Sequence, residues 1–207
     1  MSSREAILDR IRGNQPEHRE LPVAPEGGMA GADTISQFVS ALEGIGGAVY
    51  IIPGPDHIAA IVRGRYPEAR RIIAGIPQLA ALGENPATIA DPHTLEDVDL
   101  AILPAHFGVA ENGACWISEK QMIERALPFI TQHLALVLPA DAIVPDMHAA
   151  YERIAALDSV EPYGFATFIA GPSKTADIEQ SLVLGAHGPA SLTVFLLDER
   201  LPEAGYF

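Results

Sequence analysis

One stretch decides the predicted fold: Gly171-Pro-Ser-Lys-Thr-Ala-Asp-Ile-Glu-Gln-Ser-Leu-Val-Leu-Gly-Ala-His-Gly-Pro189. Apolar runs lie on both sides of it, at residues 165–170 and 192–197, and each has the length of a buried strand. Glycine and proline bound the stretch at both ends, which predicts a strand, a turn, a short helix, a turn and a second strand. A strand that leads into a helix N-terminus is a place where α/β proteins bind ligands.

Further apolar runs alternate with helical patterns upstream of this stretch. Several runs are apolar throughout, which is typical of strands covered on both faces in a mostly parallel sheet. The predicted strands are residues 48–52, 71–74, 98–103, 114–117 and 134–138. The predicted helices are residues 3–11, 33–43 (capped by Asp33), 57–65, 121–127 and 145–157, with a helical turn at 78–82. The pattern therefore predicts an α/β fold.

The N-terminal part differs in composition from the rest of the chain. Residues 13–32 are rich in proline, glycine and glutamate and are predicted to form a linker or mobile arm. The helix before them either docks on a partner or core, or is a loosely attached end. We therefore divide the chain into residues 1–32, an N-terminal helix and Pro/Gly-rich arm, and residues 33–207, an α/β domain.

Composition excludes several classes of function. The chain has 207 residues, a formal net charge of −14 and one cysteine, Cys115. A broad basic face for nucleic acid or an anionic membrane is therefore not expected. No apolar run is long enough to insert in a membrane, and the first twelve residues lack the apolar core of a signal peptide, so we expect a cytoplasmic protein. A single cysteine cannot supply the usual four thiolates of an iron–sulfur cluster, and we predict no cofactor bound by this chain.

Glu111, Asn112 and Gly113 form the first candidate site, between two predicted strands. A carboxylate on such a turn can act as a nucleophile or general base, Asn112 can orient it, and Gly113 lets a ligand approach the backbone. The alternative is an ordinary tight turn, for which Asn-Gly is the expected dipeptide.

The stretch quoted above contains the second candidate site. Ser173 or Thr175 can cap the predicted helix, and its free N–H groups together with Lys174 can hold a phosphate or carboxylate. Asp177 either stabilises the first turn of that helix or faces the ligand. A nucleotide-binding P-loop is excluded, because Ser173 precedes the lysine and Phe168 occupies the earlier glycine position. An ordinary capped helix is the alternative to an anion site.

His187 is the third candidate, because Gly185 and Gly188 flank it on a loop. It is either an acid, base or ligand, or an inert histidine at a helix C-terminus. The other histidines have no metal-binding spacing, and His106 is the best of them because it lies near Glu111. Cys115 lies in an apolar strand and is interpreted as a buried small residue. No metal site is predicted.

These motifs also resemble a known family. Residues 171–179, followed by Gly185-Ala-His-Gly-Pro189, resemble the signature of the lactate-utilization protein C family (LutC/YkgG-like, LUD domain). Gly108-Val-Ala-Glu111 resembles another segment of that family. The resemblance implies a three-layer α/β/α fold with a mostly parallel sheet, similar to the NagB/RpiA/CoA-transferase-like fold. It covers most of residues 33–197.

The resemblance also implies a function. The chain would be a subunit of an L-lactate oxidation system, and separate iron–sulfur partner proteins would carry the electrons. A small anionic ligand would bind in one pocket formed by Glu111, Asn112 and Gly113, the turn that contains Gly171, Ser173, Lys174, Thr175 and Asp177, and His187. Glu111 and His187 would be the catalytic groups. The alternatives are an independent CoA-transferase-like or isomerase-like enzyme that uses Glu111, and a non-catalytic scaffold. A single pocket requires the two turns to meet at one edge of the sheet.

Overall fold

The structure is a computed structural model that describes residues 2–17, 19–20, 22, 33–84, 86, 89, 91–160, 162–178 and 181–201. The α-helices in these ranges are α1 (Ser3–Gly13), α2 (Thr34–Gly44), α3 (Ile58–Arg65), α4 (Glu119–Met122), α5 (Leu127–Ile130) and α6 (Met147–Val160). The strands are β1 (Ala48–Ile52), β2 (Ile72–Ala74), β3 (Leu100–Pro104), β4 (Phe107–Val109), β5 (Ala114–Ser118), β6 (His133–Pro139), β7 (Ile143–Val144), β8 (Ala166–Ile169), β9 (Lys174–Ile178), β10 (Ser181–Leu184) and β11 (Ser191–Leu197). Short 3-10 helices occur at Pro55–His57, Pro77–Leu82, Pro92–Leu95 and Ala140–Ala142.

A five-stranded parallel sheet lies at the centre, in the order β1-β11-β6-β3-β2. Its inner strands are buried on both faces: five consecutive residues of β6 and five of β11 are buried. Continuous apolar strands of this kind form because neither face of the sheet contacts water. The predicted α/β class and mostly parallel sheet are confirmed.

Helices cover both faces of this sheet. Ile58 and Val62 of α3 pack on one face together with Leu79. Phe38 and Leu42 of α2 are fully buried against the other face. This arrangement confirms the predicted three-layer α/β/α fold.

A second, smaller sheet lies on the α2 side, in the order β7-β4-β5-β8. Phe107 and Trp116 on its outer face pack with Ala150 of α6, and the two aromatic rings stack with centroids 6.4 Å apart. The sequence predicts β5 and β8 but not β4 and β7. Those strands have three and two residues, too few to show a periodic pattern.

The helix predictions have mixed outcomes. Asp33 caps α2 as predicted, since its Oδ1 accepts from the backbone N–H groups of Ile35 (3.1 Å) and Ser36 (3.3 Å). The helix predicted at residues 121–127 is wrong. The chain forms α4 and α5 instead, because Ile123 adopts a left-handed conformation (φ 66°) and Pro128 lies in the first turn of α5 rather than after a helix.

The helix predicted within residues 171–189 is also wrong, because these residues form the antiparallel hairpin β9–β10. Thr175 pairs with Val183, and Lys174 pairs with Leu184. Thr175 and Val183 are both β-branched, which favours extended backbone at this pair. The hairpin is a separate two-stranded sheet, joined to neither of the larger ones.

The N-terminal helix α1 forms as predicted but buries none of its residues. Residues 18, 21 and 23–32 of the predicted arm lie outside the described residues, so the division at residue 32 stays a prediction. Among the residues that the structure describes, no helix combines the length and apolar character needed to cross a bilayer.

Candidate functional site

Glu111, Asn112 and Gly113 form the turn between β4 and β5. The Gly113 N–H donates to the Val109 carbonyl at 2.9 Å, and Asn112 Oδ1 accepts from the Ala114 N–H at 3.0 Å. Gly113 has φ +69°, a left-handed conformation that favours glycine. The interpretation of Asn-Gly as a tight turn is therefore correct for the backbone conformation.

The Glu111 carboxylate lies at the N-terminus of α6. Its Oε2 accepts from the Met147 N–H at 2.9 Å, and the Glu111 N–H donates to the Pro145 carbonyl at 3.1 Å. Asn112 Nδ2 donates to the Met147 sulfur at 3.3 Å. A carboxylate in this position satisfies an unpaired helical N–H and interacts favourably with the helix dipole. Glu111 and Asn112 remain exposed, so a ligand can still reach them.

Gly171 lies at the same end of the small sheet as Gly113. β5 pairs antiparallel with β8, with Cys115 opposite Ile169. Gly113 lies two residues before Cys115 and Gly171 lies two residues after Ile169, so both glycines are at the same end of this antiparallel pair. Both glycines also contact the C-terminal end of α2: a Cβ on Gly113 would lie 2.7 Å from the Leu42 nitrogen, and one on Gly171 would lie 3.2 Å from the Ile45 carbonyl oxygen. The two turns thus meet at one end of the β5–β8 pair.

Ser173, Lys174 and Thr175 lie at the base of the hairpin rather than at a helix N-terminus. The Ser173 N–H donates to the Pro189 carbonyl at 2.8 Å, and its carbonyl accepts from Gly185 at 3.0 Å. Both backbone groups of Ser173 are therefore occupied. The helix N-terminal anion site proposed here is wrong, because no helix follows. The side chain of Asp177 lies outside the described residues.

Lys174 supplies positive charge where the two turns meet. Its ammonium nitrogen would lie 3.3 Å from a Cβ on Gly46, just beyond the end of α2. A cation near a helix C-terminus interacts favourably with the helix dipole. Lys174 is exposed, so its ammonium group is also accessible to an anionic ligand.

His187 is exposed on the loop after the hairpin. The neighbouring Gly188 packs on Ser173, and the Ala190 N–H donates to the Gln132 carbonyl at 2.9 Å. These contacts place the loop at the edge where the parallel strands begin. Within the described part of the chain, no hydrogen bond links His187 to Glu111.

The surroundings of Cys115 and His106 favour structural roles for both residues. Complete burial raises the pKa of the Cys115 thiol to about 12, which suppresses the reactive thiolate. His106 Nε2 hydrogen-bonds the Ser118 hydroxyl at 3.1 Å. Among the described residues no group of three or more His, Cys, Asp or Glu side chains is placed to hold a metal ion.

A second polar cluster was missed by the sequence analysis. It lies in a cleft of about 530 Å³ where the parallel strands begin, and its lining includes Arg65, Tyr66, Asp99, His133 and Ser191. These residues come from four separate segments and share no local motif. The sequence signal that could have found them is modest: His133 and Ser191 each stand at the first position of a buried strand.

Comparison with known proteins identifies a family. The family model described as LUD domain matches residues 35–197, from the start of α2 to the end of β11. A protein of Bacillus pumilus (strain SAFR-032) named "Lactate utilization protein C" is 31% identical over 107 residues, which are 51% of this chain and 45% of that protein. A protein of the same name in Oceanobacillus iheyensis is 26% identical over 121 residues, which are 58% of this chain and 50% of that protein.

The chain spans about half the length of these curated relatives. Among solved structures, a DUF162 family protein from Deinococcus radiodurans superposes with a TM-score of 0.56 and 20% identity. The match covers 80% of this chain and 96% of the other. At this level of identity the likeness supports the fold alone.

Proposed function

Because the chain belongs to the LUD domain family, we propose that it is a component of a lactate-utilization system that oxidises L-lactate to pyruvate. One observation carries the proposal: the family match extends over residues 35–197, and the curated relatives within it are named for lactate utilization. The family match also confirms the resemblance seen in the sequence.

Separate iron–sulfur proteins would be the electron carriers of this system. Oxidation of L-lactate to pyruvate releases two electrons and two protons, so an acceptor is required. This chain has one cysteine, and that thiol is fully buried. Iron–sulfur clusters usually need four thiolate ligands, so we assign the clusters to partner proteins.

The place where the two turns meet is the proposed ligand site. Lys174 offers positive charge to a carboxylate, and Glu111 and Asn112 offer exposed polar groups on the neighbouring turn. Gly113 and Gly171 keep both turns close to α2, since any side chain there would meet the helix end. Glu111 would act as the general base, and His187 would be the second catalytic group, on a loop whose Gly188 packs on Ser173.

The first experiment tests the need for partners. The purified chain is assayed for lactate-dependent reduction of a dye, alone and together with proteins that co-purify with it from its native cell. We expect activity only in the combined sample, with an iron–sulfur absorbance in the partner fraction. Robust lactate oxidation by the isolated chain would overturn the proposal.

The second experiment tests the role of Glu111 with a matched control. Glu111→Gln keeps an oxygen that can accept from Met147 and should leave α6 intact, whereas it removes the base. We expect the reconstituted activity to fall by about 10²-fold or more. Glu152→Gln, an exposed change on α6, should leave activity unchanged. Labelling of Glu111 by an acyl-CoA would instead favour the alternative of an independent CoA-transferase-like enzyme.

A further inference from the structure

We propose that the cleft at the edge where the parallel strands begin binds a small monocarboxylate that carries a second polar group. This cleft involves different residues from the two turns described above, and the proposal does not rest on lactate utilization. In open α/β sheets ligands usually bind at the opposite edge, where the strands end. The argument therefore depends on the side chains of the cleft itself.

Arg65 provides the charge that a carboxylate requires. Its Nε donates to Thr193 Oγ1 at 3.1 Å, and its guanidinium carbon lies 5.7 Å from the centre of the Tyr66 ring. These contacts hold the guanidinium plane at the cleft. Among the described residues no carboxylate forms an ion pair with Arg65. The Tyr50 side chain also hydrogen-bonds Arg65, and a carboxylate can bind to the guanidinium N–H groups that remain, a contact that arginine favours.

His133 and Ser191 provide the second polar contact. His133 Nδ1 hydrogen-bonds the Ser191 hydroxyl at 2.8 Å, and the imidazole packs on the Tyr66 ring with centroids 4.8 Å apart. The Tyr66 hydroxyl lies 2.7 Å from Thr193 Oγ1 and 3.4 Å from the Ser191 hydroxyl. A connected network thus fixes the orientation of the imidazole before any ligand arrives, which lowers the entropy cost of binding.

The spacing of these groups sets the size of the ligand. Ser191 and Thr193 are two residues apart on one face of β11, which corresponds to about 7 Å along the strand. Arg65 bonds to Thr193, and His133 bonds to Ser191. A molecule of a few carbon atoms is therefore long enough to contact both the guanidinium and the Ser191–His133 pair.

The charges around the cleft favour a monoanion over a phosphate dianion. Glu68 and Asp99 also line it. The Asp99 carboxylate already accepts from the backbone N–H groups of Arg70 (2.8 Å) and Arg71 (2.9 Å), and these bonds hold its pKa below the usual value. Burial lowers the pKa of His133. The nearby Asp99 carboxylate partly opposes this effect, and the Arg65 guanidinium adds to it. Arg65 is then the main cation, opposed by two acidic groups.

The experiment measures binding by NMR on the intact chain, following the His133 ring signals during titration with L-lactate, propionate and inorganic phosphate. Propionate matches L-lactate but lacks the hydroxyl. We expect saturable shifts with L-lactate, about fivefold weaker binding of propionate for the loss of one hydrogen bond, and weaker binding still of phosphate. Tighter binding of phosphate, or equal binding of L-lactate and propionate, would overturn the assignment of the ligand.

Two variants and one control locate the site. Arg65→Gln should weaken L-lactate binding by about tenfold or more, as expected for a charged hydrogen bond. Ser191→Ala removes only a hydroxyl and should reduce the preference for L-lactate over propionate. Arg63→Gln changes an exposed arginine of the same helix that does not line this cleft and should bind like the parent. Unchanged binding in a folded Arg65→Gln protein would refute the proposal, and this readout is independent of lactate oxidation.

Discussion

Replacement of Gly113 by alanine tests how closely the Glu111–Gly113 turn packs on α2. Two costs add at this position. Alanine must adopt φ +69°, which costs about 1–2 kcal/mol for an L-residue. The new Cβ would also lie 2.7 Å from the Leu42 nitrogen and 2.8 Å from its Cα. These are backbone atoms of α2 at Leu42, which is fully buried, so relief requires a shift of the helix, and overpacking of this kind costs about 1–3 kcal/mol.

The expected loss of stability for Gly113→Ala is therefore about 3 kcal/mol. For a domain of this size that corresponds to a decrease in Tm of about 6–12 °C. Urea unfolding followed by circular dichroism should show a lower midpoint with an unchanged slope, because the change affects the folded state. The reconstituted lactate-oxidising activity should fall together with the stability, because this turn contains Glu111.

Substitutions at two other glycines distinguish the cost of the backbone conformation from the cost of overpacking. Gly46 has φ +92°, but the nearest atom to a new Cβ is the Lys174 ammonium at 3.3 Å, the end of a flexible side chain. Gly46→Ala should therefore show only the conformational cost. Gly64 lies in α3 with nothing within 4 Å, so Gly64→Ala should stabilise by about 0.5–1 kcal/mol. A Gly113→Ala midpoint at or above that of Gly46→Ala would refute the packing argument.

Two further predictions concern titrating groups. Because burial raises the pKa of Cys115 to about 12, a thiol reagent at neutral pH should label it only after unfolding in urea, and rapid labelling of the folded chain would contradict its burial. Hydrogen bonds from the N–H groups of Arg71 and Arg70 lower the pKa of Asp99 in the folded chain, so its charged form stabilises the fold above the unfolded pKa of about 3.9. The difference in unfolding free energy between the parent and Asp99→Asn should be largest at pH 7 and decrease as pH falls below about 4. A difference that stays constant down to pH 3 would contradict this.

The inner strands of the central sheet could be predicted from sequence because they are buried on both faces. The predicted strand at residues 48–52 matches β1 at both ends. The predicted cap at Asp33 is also correct, since a short acidic side chain before a helix has a local cause that needs no tertiary information.

The hairpin could not be predicted because its composition imitates a capped helix. Ser173 and Thr175 followed by acidic residues read as a helix start, and Gly185 as its end. In the folded chain Leu182 and Leu184 are exposed, whereas Val183 between them is half-buried. The two leucines therefore lie on the exposed face, and residues 182–184 are apolar on both faces, so the segment lacks the alternation of apolar and polar residues that indicates a strand.

The candidate sites were recovered to different extents. Gly113 and Gly171 belong to turns that the sequence marks by glycine, and the fold brings them to one helix end. The His133–Ser191 pair depends on β11 lying beside β6, although the two residues are 58 positions apart in the chain. No local pattern contains that pairing, so a sequence reading that looks for motifs cannot find the cleft.

The position of β11 has a consequence for synthesis on the ribosome. β1 lies at the edge of the parallel sheet and pairs with it through β11, which is made more than a hundred residues later. Until residues 191–197 have been synthesised, β1 lacks its partner and one edge of β6 is open. Unpaired apolar strand edges promote association between chains. The nascent chain should therefore depend on chaperones up to this late point, and translation that stops before Ser191 should yield aggregates rather than a smaller folded domain.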